Sequence, residues 1–218
     1  MTCHCKSITG ICAAALLALS GFAADNAKWI VDFRAGENGE VRKQGKIVDK
    51  YAAGDIKVEE GLLLLDHMGT RPPHLSNLMI VQEPELLAPG AVLVGEYRGA
   101  MVEPGEAPTV PVFNLFLSGS AGGDKPVYGG STKIAAAGIV TDVGVYAPSG
   151  FDPAEMHTLR ATLDTATGSY TLAVDGKPAL KGKLKPVNIK PQIWFGDGSG
   201  KINGRARLEY LRVGKLAD

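Results

Sequence analysis

Apolar and polar residues alternate along much of this chain with a period of two, the repeat of a strand that buries one face. The pattern is clearest from Met156 to Val213. His157 to Asp164 sets Leu159, Ala161 and Leu163 on one side, and Ser169 to Asp175 does the same with Tyr170, Leu172 and Val174. Thr165-Ala-Thr-Gly168 is the turn between them. Asp175-Gly176 then supplies a two-residue hairpin loop, because a type I′ turn needs positive φ at both central positions and Gly adopts it without strain. Near the other end, Lys28 to Phe33 places Trp29, Val31 and Phe33 on one side of a first strand. Its expected partner is the final strand, Ala206 to Val213. There the apolar positions move from Ala206, Leu208 and Tyr210 to Leu211 and Val213, a change of parity that predicts a bulge.

Further strands are expected at Asp55 to Val58, Leu62 to His67, Leu78 to Val81, Ala91 to Met101, Val110 to Leu117, Ser131 to Ala136 and Ile139 to Tyr146. Gly and Pro separate them, at Gly54, Gly61, Pro72-Pro73, Pro89-Gly90, Pro104-Gly105, Gly122-Gly123, Pro148 and Gly150. No long amphipathic helix interrupts the series. Single turns are expected at Glu83 to Leu87 and at Asp152-Pro-Ala-Glu, with Asp152 as cap and Pro153 in the first helical position. The fold class that follows is all-β, an antiparallel two-sheet β-sandwich.

Four runs carry a resemblance to a known group. They are Phe151 to Arg160 (FDPAEMHTLR), Thr167 to Gly176 (TGSYTLAVDG), Ile193 to Asp197 (IWFGD) and Gly204 to Val213 (GRARLEYLRV). In order and spacing they resemble the laminin-G-like or concanavalin A-like lectin/glucanase superfamily. The resemblance implies two packed, curved sheets with jelly-roll connections. It also implies a place among glycan binders, adhesion modules and hydrolases.

The first residues read as an export leader, with Lys6 ahead of an apolar stretch from Ile8 to Phe22 and small residues at Gly21-Phe-Ala23. Cleavage after Ala23 would leave residues 24–218 as a single β-sandwich domain. A retained anchor is the competing reading, disfavoured because the stretch is short for a bilayer and broken by Gly10 and Ser20. Cys3, Cys5 and Cys12 all lie in the leader, so the mature protein would fold without disulfides. Nothing later approaches a membrane span, and the expectation is a soluble bacterial protein, secreted or held in the periplasm or cell envelope.

Charge narrows the partners. Lys plus Arg equals Asp plus Glu at 23 each, and loss of Lys6 leaves 22 against 23. A near-neutral chain lacks the basic stripe that phosphate backbones require, so nucleic acid is excluded as an expected partner. The basic run Lys177 to Lys190, interleaved with Leu180, Leu184 and Val187, is read as a solvated strand face in preference to an anion site.

Candidate chemistry is sparse. Glucanases of the resembled superfamily carry carboxylates at alternating positions of one strand, as E-x-D-x-x-E or E-x-D-x-E, so that both point into one cleft. Glu59-Glu60, Glu83-Pro-Glu85 and the isolated Glu96 do not make that pattern. There is no Gly-x-Ser-x-Gly elbow, and His67, His74 and His157 lack zinc-ligand spacing. A pair assembled from distant strands stays open. The superfamily's usual ion, calcium, finds its best local candidate at Asp197-Gly-Ser-Gly200, with Asp124 or Asp142 as additions, against a self-bonded turn as the simpler reading; no cofactor is expected on balance. For sugar recognition the candidates are Tyr97 and Arg98 on one long strand, Asn114 on the next, and Trp194, which faces outward if Ile193 and Phe195 face the core. The loop from Gly119 to Gly130, with Asp124 and Tyr128, is an alternative contributor. The expectation is a non-catalytic module for a cell-envelope or extracellular glycan, with a protein-interaction or structural module and a glycoside hydrolase as alternatives.

Overall fold

The computed structural model describes residues 26–38, 47–49, 56–66, 78–81, 83–105, 107–196 and 204–217. The expected leader, His67, His74 and the calcium candidate Asp197 to Gly200 lie outside the described residues. The strands, in chain order, are β1 (Ala27–Arg34), β2 (Ile47–Asp49), β3 (Ile56–Glu59), β4 (Leu62–Asp66), β5 (Leu78–Val81), β6 (Val92–Glu103), β7 (Pro111–Ser120) and β8 (Val127–Ala135). They continue with β9 (Gly138–Thr141), β10 (Gly144–Tyr146), β11 (His157–Asp164), β12 (Ser169–Val174), β13 (Lys177–Lys183), β14 (Pro186–Val187), β15 (Ile193–Gly196) and β16 (Arg205–Leu216). One helical turn, α1 (Ala35–Asn38), follows β1.

Two antiparallel sheets result. The first runs β13-β12-β11-β6-β16-β4-β3, and the second runs β10-β9-β8-β7-β15-β5-β2 with β14 also on β8. β16 is long enough to take two partners on one side, β4 along Arg205–Leu208 and β1 along Tyr210–Leu216. The expected bulge falls between them, at Glu209, where the register with β6 shifts between Leu208 and Tyr210. It lets Ala206 and Leu208, then Leu211 and Val213, all reach the interior. Tyr210 stays outside, so its expected place on the face of Leu208 is corrected by the bulge.

A second irregularity corrects Trp29. The register of β1 slips between Trp29 and Val31, which leaves Val31 and Phe33 in the core and turns Trp29 to the outer face. Two other boundaries differ from the sequence reading. The run from Ile139 to Tyr146 is broken at Asp142-Val143, where Thr141 Oγ1 accepts from Val143 N and donates to Gly144 O. β7 runs to Ser120 and β8 begins at Val127, so half of the expected loop from Gly119 to Gly130 is strand. Gly129 and Gly130 look like loop residues because rings cover them: a Cβ on Gly129 would lie 2.6 Å from Phe116, and one on Gly130 3.0 Å from Tyr170.

The interior is apolar and aromatic. Leu93, Leu159, Leu163, Leu172 and Leu208 of the first sheet meet Phe113, Leu115, Leu117, Ile193 and Phe195 of the second, each contributing roughly 1.5–3 kcal/mol by burial. Tyr97 packs edge-on against Phe113 with centroids 4.8 Å apart. Two phenols cross this core to the same strand. Tyr97 O–H donates to Thr132 O at 3.3 Å, and Tyr170 O–H donates to Ser131 O at 3.2 Å while bonding Thr132 Oγ1. Burial pushes both phenols well above their ordinary range, with Tyr97 raised further by Tyr170.

Turns at the rim are held by carboxylates. Asp175, at φ 51° in the Asp-Gly hairpin, accepts from His157 Nδ1 at 2.7 Å and from Thr158 N at 2.9 Å. His157 also bonds Asp152 O at 2.9 Å and stacks on Phe151 with centroids 4.3 Å apart, a structural role at the start of β11. Burial raises the Asp175 carboxyl, but the bonds from His157 and Thr158 outweigh it and hold the group below its usual range. Asp164 is lowered similarly: partial burial opposes the bonds from Thr167 Oγ1 and the Ala166 and Thr167 amides.

Two outcomes follow. Tyr170→Phe strands the Thr132 hydroxyl in the core, and urea unfolding should show a loss of about 1–3 kcal/mol; adding Thr132→Val should recover part of it. Because the Asp164 and Asp175 carboxyls are lowered on folding, their stabilisation is complete above the unfolded value of about 4 and is lost as pH falls through the folded values. Melting temperature should therefore fall with acidification below about pH 4, and less steeply in Asp175→Asn.

Candidate functional site

Each sheet offers one outward face, and the two differ in chemistry. On the first sheet, Arg160, Glu96, Arg212 and Asp32 stand opposite one another across β11, β6, β16 and β1, alternating in sign. Glu96 is only 5% exposed. Its Oε1 accepts from Arg212 Nη2 at 2.7 Å, Arg212 Nε at 3.1 Å and Tyr210 O–H at 2.8 Å, with Arg160 Nη1 3.7 Å from Oε2. The Trp29 ring covers this ladder, 4.0 Å from the Arg212 guanidinium carbon. Burial, then the bond to Glu96 and its charge, push the Tyr210 phenol up to about 12. In the next row Arg98 Nε donates to Glu209 at 2.9 Å.

This face is occupied by its own charges. The four outward positions around Glu96 are Val94, Arg98, Arg160 and Arg212, and none is an acid. Among the described residues no group of three or more His, Cys, Asp or Glu side chains could hold a metal ion.

The outward face of the second sheet is apolar at its centre. Ile193 and Phe195 are fully buried, so Trp194 between them points out, as the alternation requires. Register sets Trp194 opposite Phe116 of β7 on one side and Ile80 of β5 on the other. The Trp194 and Phe116 rings are nearly parallel, at 20° with centroids 5.3 Å apart, an offset stack. Phe116 lies over Gly129, where a side chain would collide with it. Ile80 opens onto a cleft of about 640 Å³, lined also by Glu83, Pro84, Leu87, Pro191 and Gln192. Ser118 closes one flank by donating to Gln192 O at 2.7 Å and accepting from Gln192 N at 2.8 Å.

The sequence candidates divide between three places. Trp194 and Asn114 share the outward face of the second sheet, Asn114 one row from Phe116 and opposite Lys133. Asn114 is 5% exposed and its Oδ1 is buried without a hydrogen-bond partner, so a ligand at the surface meets little of it. Arg98 is on the outward face of the first sheet. Tyr97 lies in the core at 0% exposure, because successive strand residues face opposite sides. Sequence reasoning missed Phe116 and Ile80. The signal was available in Phe113, Leu115 and Leu117, whose inward parity leaves Phe116 outward.

No family model matches the chain, and no curated protein matches it in sequence. Solved structures do match. The conserved carbohydrate esterase from Shiga toxin-encoding bacteriophage phi24B is 14% identical, with a TM-score of 0.59 over 88% of this chain and 100% of that one. SCLam, a non-specific endo-beta-1,3(4)-glucanase from family GH16, is 13% identical, with a TM-score of 0.53 over 89% and 93%. The metal-free lectin I-B4 from Griffonia simplicifolia is 13% identical, with a TM-score of 0.52 over 86% and 100%. The fold is that of the concanavalin A-like lectins and glucanases. Identities this low carry the fold alone. The outward positions of β7 are Asn114, Phe116 and Ser118, none of them an acid.

The charge ladder yields a stability test. Glu96→Ala leaves Arg212 and Arg160 facing each other without their shared acceptor, and denaturant unfolding should show a loss on the order of 3 kcal/mol. Asp32→Ala, at the exposed end of the ladder, should cost less than about 1 kcal/mol.

Proposed function

We propose that the protein binds a glycan on the outward face of its second sheet and does not cleave it. The observation that carries this reading is the Trp194-Phe116 pair, an aromatic surface set on rigid strands beside the cleft at Ile80. Pyranose rings present axial C–H faces that stack on such surfaces, while amide and carbonyl groups at the rim bond their hydroxyls. Gln192 and Lys133 are placed to supply those polar contacts. The likeness to a lectin, a glucanase and a carbohydrate esterase supports a carbohydrate ligand by analogy of fold, and no more than that.

The outward strand positions of β7 and β15 carry no carboxylate, and Glu83 is the single acid lining the cleft among the described residues, which supports binding without the carboxylate pair that hydrolysis needs. A protein-docking role has less support: among the described residues the exposed large apolar side chains are Val102 on β6, Val145 on β10 and Ile189 beyond β14, far apart in the strand order. The apolar stretch from Ile8 to Phe22, read as an export leader, supports a site of action outside the cytoplasm, in the periplasm, in the cell envelope or beyond.

A glycan array probed with the full chain, with calcium and with a chelator, tests the reading. The two conditions matter because the calcium candidate at Asp197 to Gly200 lies outside the described residues. Trp194→Ala should weaken binding about tenfold or more at unchanged melting temperature, and Gly129→Ala should weaken it by displacing Phe116. A Trp194→Ala protein that binds like the parent would refute the platform. New reducing ends on prolonged incubation would show cleavage and refute the non-catalytic part.

A further inference from the structure

We propose that the lysine-rich edge of the first sheet is a second site, a track for a linear acidic polysaccharide carrying carboxylate or sulfate groups. Residues 177–190 hold Lys177, Lys181, Lys183, Lys185 and Lys190 and no acid. The rest of the chain holds 18 cations (23 less these 5) against 23 acids, so the neutral total hides a strongly polarised molecule. All five lysines are exposed, and none has a salt-bridge partner among the described residues. Lys28, Lys57 and Lys215 elsewhere are each paired with a glutamate, and the other two described lysines, Lys125 and Lys133, stand singly and not in a run. The acids that flank the segment, Asp164 and Asp175, are taken up by Thr167 and by His157 and Thr158.

An unpaired cation row on an edge strand has a simpler explanation, protection against edge-to-edge pairing. That explains Lys181 and Lys183 in β13, where Pro178 already blocks pairing. It does not explain Lys185, between β13 and β14, or Lys190, beyond β14. The row outruns the edge it would protect.

The neighbours favour a polysaccharide. Register sets Lys181 opposite Thr171 and Lys183 opposite Ser169, and Thr171 in turn opposite Thr162. Lys181 and Lys183, whose backbones stand about 6.7 Å apart along the strand, therefore border a hydroxyl-bearing surface, which suits a polymer that alternates charge with hydroxyl groups. Lysine presents a point charge rather than the guanidinium fork that grips a single phosphate in two places. No aromatic residue lies in 177–190 to stack a base. Leu184 is buried and Leu180 and Val187 are half-buried, so Ile189 is the one large apolar residue that the segment exposes, too little to enter a lipid layer.

The test is affinity of the full chain for polygalacturonate and dextran sulfate, with neutral dextran, duplex DNA and phosphatidylserine vesicles alongside. Binding to the acidic polysaccharides that weakens with salt is expected, with none to dextran. The triple variant Lys181→Gln, Lys183→Gln, Lys185→Gln should lose about tenfold or more in affinity and show a shallower salt dependence. A second variant, Lys177→Gln with Lys190→Gln, should lose less. Both should melt as the parent does. Trp194→Ala should bind the acidic polymers undiminished, which separates this site from the aromatic platform. No binding at low salt, equal binding by the triple variant, loss in Trp194→Ala, or equal binding to DNA or vesicles would each overturn the proposal.

Discussion

Two buried hydroxyl groups tie the sandwich together. Tyr97 comes from β6 and Tyr170 from β12, both in the first sheet; Tyr97 bonds Thr132 of β8 in the second sheet, and Tyr170 bonds both Ser131 and Thr132. Apolar burial drives the two layers together, but it is non-directional and would tolerate sliding. A phenol in that interior has no water to fall back on, so it must meet one particular backbone oxygen or hydroxyl. The pair therefore fixes how one sheet sits on the other, and with it which residues are inward on every strand.

Once inward and outward are set, the faces acquire their separate characters. The first sheet covers its outer side with a self-paired ladder in which arginines flank a nearly buried Glu96 and Trp29 lies across them. Its charges are spent on one another. The second sheet carries Ile80, Trp194 and Phe116 in a row across three strands, with polar side chains at the margins. Its surface is open to an external ring, and Gly129 provides the room for Phe116 to lie down. The lysine edge is a third environment, charged and unpaired, at the border of the first sheet.

Short-range patterning foretold most of the framework. The alternations in His157 to Asp164 and Ser169 to Val174 mark strands because a half-buried strand must alternate, and the Asp175-Gly176 hairpin follows because few dipeptides take two positive φ values. Even the bulge of β16 was visible as a break in parity. The slip at Trp29 was not, since Trp29, Val31 and Phe33 keep the same parity and only the pairing with Gly214 reveals that Ile30 is an extra residue. The strand at Gly129-Gly130 was hidden for a related reason: glycine reads as a loop unless the rings that occupy its space are known.

The candidate site divides along the same line. That Trp194 points outward was already written in the buried pair beside it, because parity is a property of a single strand. That it meets Phe116, distant in the chain, depends on β15 being inserted between β7 and β5, a matter of strand order that no local pattern encodes. The fate of Glu96 is alike: its lone position on β6 was plain, but the arginines that neutralise it arrive from β11 and β16. Period and turn chemistry act over a few residues and can be read from them. Partnership between strands is chosen by the packing of the whole interior, and so it appears only when the chain has closed.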